Sequence, residues 1–109
     1  MNDIILHICP RATWENGEAD YRGDTLDTEG FIHCSTLAQM ERTANRFFAG
    51  QRGLVVLHID TRRLTAPLKW EPSEGVDFPH IYGPLNRDAV IHVEALEPDA
   101  AGMFRYPHT

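Results

Sequence analysis

A chain of 109 residues, 42% hydrophobic and 24% charged, has the size and composition of one globular domain that buries a core without disulfide staples. Its 16 acidic against 10 basic residues give a formal net charge of -6, which speaks against a dedicated nucleic-acid surface, usually built on a basic stripe. No apolar run approaches membrane length or the core of a secretory signal, and the 2 cysteines stand in apolar strand-like contexts, so a cytoplasmic protein with reduced thiols and no membrane partner is expected.

Residues 4–8 alternate as a first strand, with Ile4, Leu6 and Ile8 on one face and Ile5, His7 and Cys9 on the other. Pro10 closes it, and residues 11–18 follow as a short helix anchored by Ala12 and Trp14. Residues 21–29, rich in Gly, Asp and Thr, read as a loop. Residues 31–35 form the second strand and residues 36–49 a helix whose Leu37, Met40, Ala44, Phe47 and Phe48 share one side. Thr36 and Gln39 stand in capping-box relation, and Gly50 offers a stop.

Residues 54–59 are almost continuously apolar, which predicts a central strand covered on both faces. Residues 68–71 give a short strand stopped by Pro72. Residues 73–84 read as irregular, because Pro79 and Gly83-Pro84 argue against a central strand. Residues 89–96 alternate as a last strand, with Ile91, Val93 and Ala95 inward and His92 and Glu94 outward. An ordered core over residues 3–97 and a frayed tail over residues 98–109 complete the expectation. The order predicts a compact α+β domain with a mixed or antiparallel split sheet and two main helices.

The stretch Gly30-Phe31-Ile32-His33-Cys34-Ser35-Thr36 organises the rest. Strand alternation sets His33 and Ser35 on one face, and Thr36 hands over to a helix start where free N–H groups favour an anion. His7, His33 and His80 each neighbour an aromatic, aliphatic or thiol side chain near a strand end or loop. With Ser35 and Thr36 they can donate to a phosphate or sugar, Tyr82 can pack on a ring, and Glu71 can act as a general base. His58 and His92, alternating with Asp60 and Glu94, read instead as solvated or helix-covered strand residues. A zinc set of His7, Cys9, His33 and Cys34 is chemically competent but has none of the usual ligand spacings. Cys34 faces away from His33, and Ser35 lacks a nucleophile-elbow pattern.

The residues just described, together with Asn45-Arg46-Phe47-Phe48, Trp70-Glu71 and Phe78-Pro79-His80-Ile81-Tyr82-Gly83-Pro84-Leu85, resemble a bacterial family catalogued as domain of unknown function nine hundred and fifty-two. That family is similar at a distance to the ADP-ribosyltransferase fold, with its polymerases and RNA 2′-phosphotransferases. The resemblance implies a split sheet holding NAD in a cleft, with His7 on the ribose, His33 and Ser35 in a second-strand motif, and Glu71 or Glu94 as the transferase carboxylate. The expected activity is therefore NAD- or ADP-ribose-dependent transfer, with His33, Ser35 and Glu71 catalytic and His7, Thr36, His80 and Tyr82 binding NAD. The ligand is a nucleotide-like small molecule, with 2′-phosphorylated RNA left open. A non-catalytic binding module is the alternative, and a zinc-dependent hydrolase the third reading.

Overall fold

The computed structural model describes residues 3–17 and 20–106. Two three-stranded antiparallel sheets divide the chain. The first has the order β1-β3-β6, from Ile4–Pro10, Leu54–Asp60 and Val90–Leu96. The second has the order β2-β5-β4, from Ile32–His33, Val76–Ile81 and Leu68–Ser73. Among the described residues three α-helices join them: α1 over Arg11–Glu15, α2 over Leu26–Glu29 and α3 over Met40–Phe47. The architecture is α+β, as the mixture of alternating and helical periods implies. Among the described residues no helix is long and apolar enough to cross a membrane.

The continuous apolar run of β3 has the expected cause. Val55, Leu57 and Ile59 enter a cluster with Ile5, Ile32, Ile81 and Leu85, while Leu54 and Val56 enter another with Met40, Ala44 and Phe104. The first sheet is thus covered by the second sheet on one face and by α3 and the C-terminal segment on the other.

Several expectations change. The helix expected over residues 36–49 is a 3-10 turn, Leu37–Gln39, running into α3 and ending at Phe47; the Thr36–Gln39 capping box is present. The helix expected over residues 11–18 ends at Glu15, and residue 18 lies outside the described residues. Residues 21–29 are not all loop, since α2 occupies their end and stops at Gly30, whose φ of 91° is a left-handed helix cap. Ile91 points outward rather than inward: the ladder shifts register after His58, so Ile59 pairs with Val90 and Ile91 bulges into solvent.

The largest change is in residues 73–84. Val76–Ile81 is the central strand of the second sheet despite Pro79. The carbonyl of Pro79 accepts from the Cys34 N–H. A residue's N–H and C=O leave a strand on the same side, so the donor that proline lacks faces β2, which is paired only through Ile32 and His33. Pro72 likewise lies inside β4, an edge strand, where a missing donor is tolerated. Glu74 and Gly75 join the two strands with φ of 55° and 86°, the positive values of a tight primed hairpin turn.

The segment after Pro98, expected to fray, packs instead. Phe104 is 1% exposed, and Asn45 clamps its backbone, donating to the carbonyl at 3.0 Å and accepting from the N–H at 2.6 Å. Residues 107–109 lie outside the described residues. Phe104→Ala is expected to lower the unfolding free energy by about 3–5 kcal/mol through loss of buried area and the cavity left behind. Denaturant titration checks this, and an unchanged midpoint would place the segment outside the cooperative core.

Candidate active site

The two sheets meet at an open seam. Ser35 leaves β2 and pairs with Leu6 of β1, each N–H donating to the other's carbonyl at 2.7 Å. Where the sheets diverge from this point a cavity of about 440 Å³ opens, walled by His7, His33, Ser35, Thr43, Phe78 and His80 among others. Its acidic groups are Asp24, Glu29 and Glu74; no lysine or arginine is among the described residues that line it.

His33 and His80 are register partners on β2 and β5. Their rings stand edge to face with centroids 5.1 Å apart, and Phe31 stacks on His80 at 4.2 Å. Each ring has its own carboxylate. His33 Nε2 lies 3.0 Å from Glu29 Oε1, at the end of α2, and His80 Nδ1 lies 2.7 Å from Glu71 Oε1 on β4. The Tyr82 hydroxyl donates to the same Glu71 oxygen at 2.5 Å. These hydrogen bonds, that from Tyr82 first, hold the Glu71 carboxyl below its usual range, so it is ionised at neutral pH. An ionised carboxylate only accepts. His80 must therefore donate from Nδ1, and in the neutral ring its Nε2 carries the lone pair. That nitrogen has no protein partner among the described residues and belongs to a side chain in the cavity wall.

His7 works differently. Its Nδ1 lies 2.6 Å from the His33 carbonyl, which can only accept, so Nδ1 carries the proton; Nε2 accepts from Tyr21 at 2.9 Å. Both ring nitrogens are used, and His7 anchors the backbone of His33 rather than offering a donor to a ligand. Burial pushes its pKa down, outweighing the bond to His33.

The other candidates separate. Ser35 lines the cavity, but its hydroxyl donates to Thr43 at 3.3 Å, not to a histidine. Thr36 is consumed by the capping box: its N–H donates to Gln39 Oε1 at 2.9 Å and its hydroxyl accepts from Gln39 N–H at 3.2 Å. The cap thus takes the Thr36 and Gln39 N–H groups, and Thr36 is not among the residues that line the cavity. Tyr82 is bound to Glu71 under the Lys69 ammonium and, like Glu71 and Thr36, is not part of the wall. Glu71 orients His80 from behind. Burial raises the Cys34 pKa far above that of a free thiol, and Cys9 is raised for the same reason, so neither is a thiolate at neutral pH. The four-residue zinc set does not converge: among the described residues the one group of three or more such ligands close enough for one ion is His58, His92 and Glu94. Trp70 is half exposed. The cleft stays open, not filled by Phe31 or Trp70, and Phe78 forms part of its wall.

Glu29, Tyr21 and Thr43 also hold the site together, through His33, His7 and Ser35, without a mark in the sequence. Glu29 stands four residues before His33, but the spacing works only because Gly30 turns the chain between helix and strand. Tyr21 lies in what reads as loop, and its bridge to Leu85 has no local signature.

The buried His7 gives a pH dependence of known sign. Its folded pKa lies below the ordinary 6.5, so below pH 6.5 the unfolded chain binds a proton that the folded chain refuses. Its contribution is full above pH 6.5 and is lost as pH falls, by up to about 1.4 kcal/mol per pH unit, until the folded pKa is reached. His7→Asn is expected to be less stable than wild type at pH 8, with the gap narrowing between pH 6.5 and 5 in denaturant titrations. A gap that does not change with pH would contradict a neutral His7.

A crystal structure of protein CC0527 from Caulobacter crescentus superposes with a TM-score of 0.85 at 37% identity, covering 94% of this chain and 93% of that one. The solution structure of the same protein gives a TM-score of 0.79 at 37% identity, covering 94% and 91%. No curated protein matches. The family model described as Protein of unknown function (DUF952) matches residues 8–93, from the end of β1 through most of β6. The chain belongs to that family.

Proposed function

We propose that the protein is a transfer enzyme acting on NAD or an ADP-ribose-like ligand at its N-glycosidic bond, with His80 as general base. The observation behind this reading is the opposed pair His33 and His80, each tied to a carboxylate, in the wall of one open cavity. A histidine whose tautomer is set by a carboxylate on one nitrogen, with the other nitrogen free, is the usual arrangement for proton abstraction.

The charge of the wall favours glycosyl over phosphoryl transfer. Phosphoryl transfer builds negative charge and asks for cations, which the described lining lacks. NAD supplies a cationic nicotinamide leaving group, so positive charge grows on the ribose as the bond breaks. Glu29, held by His33, and Asp24 set negative charge against that position. Phe78 gives an aromatic surface for the ring. His80 Nε2 takes the proton of the acceptor hydroxyl or water.

The phosphates have a place beside the cavity. A smaller groove shares Thr43, Phe47, Glu74 and Phe78 with it and adds Arg42 and Arg46, one turn apart on α3. Arg46 also pairs with Glu74 across the boundary. The acidic cavity and the basic groove together match a ligand with a cationic ring at one end and a pyrophosphate at the other.

An amide NMR titration with NAD, ADP-ribose and a 2′-phosphorylated dinucleotide tests the reading. NAD is expected to bind tightest, with shifts at His33, Thr43, Arg46 and His80. His80→Gln and Glu71→Gln are expected to keep NAD binding while slowing nicotinamide release by about 10²–10⁴-fold, the usual share of a general base. No shifts at millimolar ligand, or tighter binding of the 2′-phosphorylated dinucleotide, would overturn it.

A further inference from the structure

A second group of histidines and a carboxylate stands on the first sheet, outside the cleft. His58 and His92 are register partners on β3 and β6, their rings 4.9 Å apart at 63°. Glu94 lies two residues along β6 on the same face, and its Oε1 is 2.8 Å from His58 Nε2. One ligand atom from each of the three lies within 4.8 Å of the other two. The bulge at Ile91 falls next to this group, and bulges commonly re-aim side chains at sites.

We propose that His58, His92 and Glu94 bind a zinc-like divalent transition-metal ion. Two ligand atoms on a tetrahedral zinc stand about 3.3 Å apart when each metal–ligand distance is about 2.0–2.1 Å. Small side-chain rotations bring the three atoms to that spacing, because their backbones are already fixed by adjacent strands. Two imidazoles and one carboxylate select a borderline cation such as zinc over magnesium or calcium, which prefer all-oxygen sites. The site is reachable, since the side chains of His58 and Glu94 are 20% and 36% exposed and His92 is exposed. Three protein ligands leave a fourth position for water, the arrangement of catalytic rather than structural zinc.

Tyr106 supplies the outer support. Its hydroxyl donates to Glu94 and lies 3.2 Å from His58 Nε2. A metal on Nε2 takes the place of that second contact, while the bond to Glu94 persists and orients the carboxylate. Packing of the C-terminal segment therefore also positions a ligand.

The full chain, free of affinity-tag histidines and stripped with a chelator, is titrated with zinc chloride and separately with magnesium chloride by calorimetry. Histidine-ring NMR follows which nitrogens take the metal. The expected result is one equivalent of zinc, no magnesium binding, and metal-type shifts of the His58 and His92 rings. His92→Ala, at an exposed position, and Glu94→Gln, which keeps the shape of the side chain, are each expected to weaken zinc binding by at least about tenfold, with amide changes confined to the neighbours of the substituted residue. His33→Ala is expected to keep the equivalent. Absence of binding with zinc in excess would overturn the proposal, as would binding that survives both β6 variants or is lost with His33→Ala.

Discussion

The two hydrogen bonds between Leu6 and Ser35, each 2.7 Å, fix the relation of everything else in the molecule. They are the point at which an edge of one sheet pairs with the chain leaving an edge of the other, so two short sheets close without merging. An unpaired strand edge costs buried backbone groups or invites another chain. Here β1 and the end of β2 satisfy each other over one residue pair and part immediately afterwards. The gap left by that parting is the cavity. Thr43 of α3 then takes the Ser35 hydroxyl, which ties the helix to the same junction.

Because Ser35 is held there, His33 is delivered two residues earlier, opposite His80. The pairing of β2 with β5 covers only Ile32 and His33, yet it decides which ring meets which. A slip of one residue would turn His33 into the interior and Ile32 into the cleft, exchanging a functional group for a core residue. His7 guards against that slip from the other sheet, since its protonated Nδ1 bonds the His33 carbonyl. Its burial as a neutral ring is thus a structural expense with a functional return, in that the backbone of the exposed histidine is held by a buried one. The same device recurs on β5, where Glu71 is held by Tyr82 and in turn holds His80.

Much of this was legible in the residues, and the rest was not for definite reasons. The alternation of residues 4–8, the apolar run at residues 54–59 and the Thr36–Gln39 box are local patterns, and the structure contains each of them. His33, Ser35 and His80 stand out in the sequence by type and neighbourhood, and the fold brings all three to the wall of one cavity. Pro79 misled because the cost of a proline depends on which neighbour its missing donor faces, and that is a property of sheet order. The Glu74-Gly75 turn lacks the Asn or Asp that marks such hairpins. Thr36 reads as a donor to a ligand, but the very motif that identifies it, the capping box, occupies its N–H and makes its hydroxyl oxygen an acceptor. His58 and His92 showed no shared motif, because 33 residues of sequence and one bulge separate register partners that only sheet pairing unites.

The division of charge around the cleft bears most directly on chemistry. Glu74 belongs to both the cavity and the groove, and its pairing with Arg46 places a neutralised boundary between an acidic compartment and a basic one. A ligand spanning that boundary would be pulled at both ends by charges of opposite sign, and its orientation would be fixed before any hydrogen bond formed. Electrostatic preorganisation of that kind acts where charge develops, provided water is displaced from the site. On the proposed reading the scissile bond falls on the acidic side, beside His80, where positive charge on the ribose is stabilised and the acceptor proton has a free nitrogen to receive it. Reversing the occupant would set the pyrophosphate against Asp24 and Glu29, a like-charge contact that works against that pose. On that reading the cleft would select an orientation by repulsion as well as attraction, which an apolar pocket of the same volume could not do.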